Sequence, residues 1–536
     1  MIDNTSPNTY DELPYHGISY TLSHPDRLAT IAALAGINAP PVASCRVLEL
    51  GCASGNNLIP MAAGLPHSTF VGIDFSQRQI AEGQAIIEEL GLGNITLKHL
   101  DIREIDETFG QFDYIIAHGV YSWVPPDVRD HLLAVCKRNL TPNGVAFVSY
   151  NTYPGWHLSG MLRDILLYHT RNTSDPEQRV TESMALLRLL ADTGSPKRTL
   201  FGNVVSECAD LFHEYLDAAH SQGRHVMLAY DLLARVNEPV YFSQFMDHAS
   251  RHGLQYLADA EFQSMFFWDA PEHVKHAVRT MTTSTVELEQ YLDFFYGRTF
   301  RRTLLCHADR VVDRRLKWET LRSMCMRSRA ISTDAQSELH STTAVEFRGP
   351  NTGATFSVEH PITKAALIVL AERWPEAVPF EALLDEARGR LNRSEQHLFA
   401  DQQQEAVYLG ANLLKAHCYS RDLVDLHTIS PPIVTTASNY PVVSAVARIQ
   451  ARQGNELTNL YHELVNVDPT SRRLIQHCDG THDRTALIDA MLELSTALAV
   501  APEEDREAQA PLDRDAAAQA VDRMVESLIR SALLVK

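Results

Sequence analysis

The stretch VLELGCASGNNLIPMA, from Val47 to Ala62, decides the fold. It opens as an apolar β-type run, passes through a turn punctuated by Gly51 and Gly55, and resumes with helical periodicity. A strand that runs through glycines into a helix lets a ligand come close to the backbone and meet N–H groups at the helix start. By itself the turn suits a dinucleotide, a nucleotide phosphate or a nucleoside cofactor. The Lys-Ser/Thr that a P-loop needs after its last glycine is absent. A dinucleotide fold prefers G-x-G-x-x-G, whereas here Cys52, Ala53 and Ser54 separate the glycines and Asn56 follows.

Outward from this turn, short apolar runs alternate with helical patterns. Strands are predicted at CRVLEL (45–50), TFVGID (69–74), ITLKHL (95–100), FDYIIA (112–117) and VAFVSY (145–150). The helical patterns include SQRQIAEGQAIIEELG and VRDHLLAVCKRNL, the last stopped by Thr-Pro-Asn-Gly. Strands separated by helices of this length imply an α/β fold, a parallel Rossmann-like sheet with helices on both faces. After Tyr150 the pattern turns to long amphipathic helices over roughly 158–236, followed by a helix ending at Gly253, a strand in LQYLADAEF and another in TFRRTLLCHA (299–308). The first domain is therefore drawn at 1–312, with a helical insertion over about 155–300. Residues 344–358, AVEFRGPNTGATFSV, read as a hairpin before three helices, which suggests an α+β, winged-helix-like domain at 330–428. A Pro/Ser/Thr-rich join (427–441) leads into a helical, winged-helix-like C-terminal domain at 429–536, within which residues 501–520 read as a solvated loop and helix face.

Acidic residues outnumber basic ones 67 to 47, a formal charge of −20, which disfavours sequence-independent nucleic-acid binding and suits basic or protein partners. The start of the chain has no basic, apolar targeting pattern and no segment has spanning length, so no membrane insertion and a cytoplasmic location are expected. The eight cysteines are scattered without a C-x-x-C pair; reduced thiols are expected, and no metal site.

Three acids follow successive strands of the expected sheet. Asp74 ends VGID, where its carboxylate can accept from both ribose hydroxyls; Asp101 follows the third strand, placed to accept from an adenine amino group with Ile102 beside the ring. Glu49 lies inside the first strand and can hold the turn or reach a cationic amino group. Each alone reads as a turn or cap residue; together with the glycine turn they describe one cofactor edge.

E-x-G-x-x-x-G, then Asp74, then Asp101-Ile102, resembles the class I S-adenosylmethionine (SAM)-dependent methyltransferases. More narrowly, SYTLSHPDRLATIAALAG, GIDFSQRQI, FDYIIAHGVYSWVP and SYNTYPGWH resemble bacterial protein-lysine methyltransferases that carry a methyltransferase regulatory domain, a group that includes rickettsial enzymes acting on outer-membrane proteins. YLDFFYGRTFRRTLLC (291–306) is similar to their middle region, and VARIQARQGNELTNLYHE with LIQHCDGTHDRTAL to their C-terminal domain. The resemblance implies SAM as cofactor, bound by Tyr20, Glu49, Gly51, Cys52, Ala53, Gly55, Asn56, Asp74, Phe75, Asp101, Ile102, His118 and Gly119. Ala53 departs from the glycine often found there; the small methyl predicts a minor effect on binding. The implied acceptor is a lysine-bearing protein, an outer-membrane or surface protein before export being one candidate, with the later domains serving acceptor recognition or homodimer formation.

The segments after strands four and five would border the methyl group. In HGVYSWVPP (118–126) and SYNTYPGWH (149–157), His118, Tyr121, Trp123, Tyr153, Trp156 and His157 are the candidate catalytic residues, as walls of an acceptor channel or as a proton path. A lysine amine, pKa about 10.4, arrives protonated. An apolar channel and a nearby sulfonium lower that value, and aromatic rings exclude water while attracting the cationic head. Trp123 and Trp156 read equally as core anchors, and His118 and His157 as hydrogen-bonders without catalytic duty. Tyr15, Tyr20 and His24 read as a lid or as packing; Tyr241-Phe242 as channel residues or helix core. The reading is a SAM-dependent N-methyltransferase acting on protein lysines; its rivals are a small-molecule N- or O-methyltransferase and a non-catalytic SAM-binding protein.

Overall fold

The computed structural model describes residues 17–192, 203–204, 207–208, 231–268, 270–391, 402–499 and 512–535. The chain forms two compact units. Of the described residues, one comprises 17–18, 36–62 and those within 67–312; the other comprises Ser19–Ala35, Ala63–Pro66 and those from Asp313 onward.

The first unit is built on a seven-stranded sheet of β1 (Arg46–Leu50), β2 (Thr69–Asp74), β3 (Ile95–His99), β4 (Phe112–Ala117), β5 (Leu140–Asn151), β6 (Leu254–Asp259) and β7 (Phe300–His307), in the order β3-β2-β1-β4-β5-β7-β6. β1 to β5 are parallel, and β7 runs antiparallel to both β5 and β6. The strand order reverses at β1, so the loops after β1 and β4 open a crevice at the carboxyl edge, where ligands bind in open α/β sheets.

The seven strands coincide with the seven predicted runs within a residue or two, except that β5 begins at Leu140 and β6 ends at Asp259, three residues short of the predicted run. Thr-Pro-Asn-Gly is not a plain helix stop: it sits within the extended segment, where pairing jumps from Phe112↔Leu140 to Tyr114↔Val145. The near-continuous apolar runs follow from burial on both faces; Val47, Leu48, Leu50, Tyr114, Ile115 and Ile116 have no measurable exposure. The helix Gln77–Leu90 shows why local signals were readable: Ser76 Oγ accepts from the Gln79 N–H at its start, and Gly91 closes it at φ 64°.

The charged pair in FRRTLLCH needs a tertiary explanation. Arg301 is completely buried in β7, donating to Asp293 and Glu289 of the helix Thr285–Tyr296 at 2.9 and 3.0 Å, with its guanidinium 3.9 Å from the centre of the Phe242 ring. A buried charge persists only with such partners.

The second unit contains a three-stranded antiparallel sheet, β8 (Cys325–Arg327) flanked by β11 (Val378–Pro379) and β12 (Asp425–His427), and the hairpin β9 (Val345–Arg348) and β10 (Thr355–Val358) around Asn-Thr-Gly. The helix Pro25–Leu34 belongs here: its Asp26 accepts from His427 Nδ1 and from the Thr428 N–H, both at 2.7 Å. A further hairpin, β13 (Glu456–Thr458) and β14 (Leu464–Asn466), accompanies helices Ala445–Gln453, Pro469–Ile475, Arg484–Ala499 and Arg514–Arg530. Among the described residues no helix is long and apolar enough to cross a membrane.

Candidate active site

β1 delivers the turn 51–57 to the sheet edge. The Gly51 and Cys52 N–H groups donate to Ile73 O, and Gly51, Ala53 and Gly55 all have positive φ, of 73°, 48° and 76°. A methyl group on Gly51 would sit 2.6 Å from Val120 Cγ2, so this glycine is what lets the loops after β1 and β4 meet. Gly83 does the same for the helix behind: a Cβ there would lie 2.4 Å from Ser54 O. Ala53 pays for a left-handed conformation that glycine would adopt freely.

Glu49 points its carboxylate into this turn while buried. Its Oε1 accepts from Asn57 Nδ2 at 2.7 Å, and its Oε2 has no hydrogen-bond partner among the described residues. Burial pushes its pKa up to about 8, the Asn57 bond opposing and the Asp74 charge adding to the shift. An orphaned buried carboxyl oxygen can accept from a ligand donor, and a cationic donor would in addition drive the group to ionise.

Asp74 closes the turn from β2. Its Oδ2 accepts from the Ala53 N–H and its Oδ1 from the Ser76 N–H, each at 2.8 Å. A carboxylate offers about four lone-pair sites, so this type of side chain can accept from hydroxyl groups as well as from backbone donors. Phe75 beside it is 56% exposed, its ring centre 6.2 Å from that of His99, and an exposed aromatic ring suits a heterocycle. Asp101 caps the turn Ile102–Glu104 and is gripped by Arg103, whose Nη2 lies 2.7 Å from its Oδ2; these bonds hold its pKa below the ordinary carboxylate value against burial. Ile102 is buried in the main core. Asn56 Nδ2 donates to Gly17 O at 2.8 Å, so the turn also anchors the incoming chain. Tyr15 lies outside the described residues. Tyr20 and His24 belong to the second unit, where His24 caps the helix Pro25–Leu34 and its ring lies 5.1 Å from that of His462.

Across β4 and β5, Ser149 joins the two edges. Its Oγ accepts from the Gly119 N–H at 2.8 Å and lies 3.0 Å from His118 Nδ1. His118 is packed against Phe147 and Phe300, and burial, assisted by the Arg302 charge, lowers its pKa to about 3. It is a neutral imidazole at physiological pH. Tyr121 turns inward: it is 2% exposed, packs on Tyr150 and Phe245, and its hydroxyl reaches His248 Nδ1 at 2.8 Å. It therefore does not line the edge beside His118, because the turn Tyr121–Trp123 rotates successive side chains in different directions. Trp123 is half-buried, and Trp156 is buried at the start of the helix Trp156–His169.

His157 is exposed and Tyr153 half-buried, and their rings stack at 4.2 Å. Tyr241 completes the group, 5.2 Å from Tyr153 between ring centres, with its hydroxyl 3.3 Å from His157 Nε2; Phe294 stands 6.1 Å beyond. The segment before Tyr241 reaches this position by riding along the end of β5, with Val240 N–H donating to Asn151 O and Val240 O accepting from Tyr153 N–H. Gly155 packs so closely under the turn at 297–299 that a Cβ would lie 2.1 Å from Gly297 O. Phe242, by contrast, is buried in the core.

Three residues of this edge escaped the sequence reading: Asn57, Ser149 and Phe294. Asn57 had a signal, since it follows the glycine turn by two positions. Ser149 and Phe294 had none, because nothing local marks a serine on β5 as the partner of β4 or a helix aromatic as a neighbour of Tyr241.

Comparison with known proteins agrees with this architecture. Residues 48–146 match a methyltransferase domain, 224–307 a predicted methyltransferase regulatory domain, and 439–533 a PKMT C-terminal winged helix domain. The chain is 34% identical over 491 residues to the uncharacterized protein RP789 of Rickettsia prowazekii, covering 90% of this chain and 86% of that one. The solved structure of PKMT2 from Rickettsia typhi superposes with a TM-score of 0.84 at 27% identity, over 98% of this chain and all of that one. The same protein in complex with AdoHcy gives 28% identity and the same TM-score.

Proposed function

The chain belongs to the family of bacterial PKMT-type SAM-dependent methyltransferases that carry a methyltransferase regulatory domain, and on that premise we propose that its acceptor is a lysine side chain of a protein. Its cofactor is SAM. The bound cofactor supplies a methyl group on a positively charged sulfur, open to in-line displacement by an amine.

The residues would divide that task as follows. Glu49 Oε2 accepts from the cofactor's ammonium group, Asp74 from its ribose hydroxyls, and Phe75 covers its base. Asp101, already tied to Arg103, shares its remaining acceptor capacity with the base's amino group, and Gly119 with His118 borders the reacting end. His118 acts by position: with a pKa of about 3 it cannot take a proton from a lysine ammonium near 10 with useful efficiency. The proton leaves to water once the amine enters an apolar setting next to a positive sulfur, both of which lower its pKa. Holding the amine about 3–3.5 Å from the methyl carbon in line with the breaking bond supplies the rate enhancement.

The observation that carries the protein-lysine reading is the surface aromatic group of Tyr153, His157 and Tyr241, standing at the end of β5 beside the cofactor edge. With His157 exposed and Tyr153 and Tyr241 half-buried, the group offers a partly open aromatic wall that attracts a cationic alkylammonium on a side chain presented by a large acceptor. Phe294, Phe295 and Tyr296, each about half exposed, extend the surface an acceptor protein would meet. Methyl transfer from labelled SAM into a lysate of the producing cell tests this. Label released as methyl-lysine after hydrolysis of the protein fraction is expected; label in small molecules alone refutes it. In the same assay Tyr153→Ala should lower kcat/KM for the protein acceptor at least tenfold while leaving SAM affinity unchanged.

A further inference from the structure

Away from the cofactor edge, two helices of the first unit bring together three potential metal ligands. Asp130 lies on the helix Pro126–Arg138; His248 lies on the helix Phe242–Arg251 and His252 at its C-cap. Spaced four residues apart, the two histidines share one helix face. Both turn a ring nitrogen toward the same carboxylate oxygen: His248 Nε2 is 3.1 Å and His252 Nε2 2.8 Å from Asp130 Oδ1, and the three ligand atoms lie within 4.8 Å of one another. Ligand atoms on a four-coordinate zinc stand about 3.3 Å apart, given bonds of about 2.0–2.1 Å. The two separations to Asp130 Oδ1 are thus within about half an ångström of the required spacing before any rearrangement.

A second observation separates this cluster from a chance surface grouping. His248 Nδ1 is held at 2.8 Å by the hydroxyl of Tyr121, which is buried and fixed between Tyr150 and Phe245. A metal-binding histidine characteristically gives its other ring nitrogen to such a fixed partner, which sets the tautomer and the ring plane. The negative end of the helix Phe242–Arg251 adds a favourable field for a cation.

We propose that Asp130, His248 and His252 form a binding site for a divalent transition ion of the zinc class, with water completing the coordination. The ion ties the helix Phe242–Arg251 to the helix Pro126–Arg138 and, through Tyr121, steadies the turn Tyr121–Trp123 that follows His118. Because the donors are one carboxylate and two imidazoles, the site favours zinc, cobalt or nickel over magnesium or calcium.

The test uses the full chain freed of metal by chelation and then titrated with Co2+ or Zn2+. One equivalent of Co2+ should bind with the visible absorption of a low-symmetry, four- or five-coordinate imidazole site, and Zn2+ should displace it and raise Tm. Asp130→Asn and His252→Gln should each weaken Zn2+ binding by at least tenfold, and Tyr121→Phe by about tenfold. SAM binding by each variant verifies that it is folded. A folded protein that takes up no Co2+ at micromolar concentrations overturns the proposal. So does stoichiometric uptake that Asp130→Asn and His252→Gln leave unchanged.

Discussion

Glu49→Gln probes the cofactor edge at its most unusual atom. In the free protein Glu49 is buried, one oxygen paired to Asn57 and the other unpaired among the described residues, with its pKa raised from 4.5 to about 8. The sign of the linkage follows. Between pH 4.5 and 8 the folded chain keeps a proton that the unfolded chain has lost, so this group's stabilising contribution is full below 4.5 and disappears as pH rises through 8. The shift corresponds to on the order of 5 kcal/mol.

An ammonium group delivered to Oε2 reverses the preference and drives the carboxyl to ionise. At pH 7, with a pKa one unit higher, cofactor binding should therefore release about 0.9 of a proton from Glu49, falling to about 0.1 at pH 9. The affinity of the native chain should tighten up to tenfold per pH unit until pH 8. A charge-assisted hydrogen bond is worth about 1.5–3 kcal/mol, so Glu49→Gln should bind roughly 10- to 150-fold more weakly at pH 9. At pH 6 the native chain spends about 3 kcal/mol on ionising Glu49, and the two proteins should bind nearly alike. Isothermal titration with SAM or AdoHcy in phosphate and in Tris, for native and Glu49→Gln chains, reads the proton count by difference and cancels the cofactor's own amino titration. Equal proton release by the two chains, or a ratio of Kd values that stays constant from pH 6 to 9, refutes the assignment.

Asp74→Ala removes the acceptor of two backbone N–H groups as well as the proposed acceptor for the ribose; Kd for SAM should rise at least a hundredfold and Tm should fall, with Asp74→Asn between the two in calorimetry and thermal melts. Ala53→Gly relieves a left-handed alanine whose φ is 48° and should stabilise the chain by up to about 1 kcal/mol in urea unfolding, the extra entropy of the unfolded glycine offsetting part of the gain. Gly155→Ala forces a methyl to 2.1 Å from Gly297 O, a backbone atom that cannot rotate away; it should cost about 1–3 kcal/mol and displace Tyr153 and His157, seen as a lower Tm together with a higher acceptor KM. His118→Asn should lower the rate without moving any inflection of the kcat/KM profile between pH 5 and 9, because a ring of pKa about 3 does not titrate there.

Much of the sheet was legible because its signals are local. VLEL, FDYIIA and VAFVSY are apolar runs bounded by turn residues, and a strand buried on both faces needs nothing more to be recognised. The glycine turn was legible for the same reason, its positive φ values at Gly51 and Gly55 being a property of the residue type. The side-chain geometry of HGVYSWVPP was not. A single turn of helix after β4 rotates Tyr121 into the core and leaves His118 at the edge, and no alternation rule predicts which of two neighbouring aromatics is buried. Asp101 read well as an acid after a strand, yet the Arg103 that engages it is two residues away and was equally visible; its cap role and a ligand role draw on the same carboxylate.

By itself the amino-acid order determined the kind of molecule: a mainly parallel sheet with a glycine turn after its first strand, acids in or just after β1, β2 and β3, and aromatic segments after β4 and β5. These are statements about residues within one strand, turn or helix, where backbone sterics and hydrophobic period act over a few positions. Only the tertiary structure decided who meets whom. Ser149 reaches His118 across neighbouring strands, Tyr241 comes from more than eighty positions away to stand beside Tyr153, and Asp130 meets His248 and His252 across two helices. Such encounters follow from strand order and helix packing, which are set by the burial of the whole core, and no local stretch of sequence carries them.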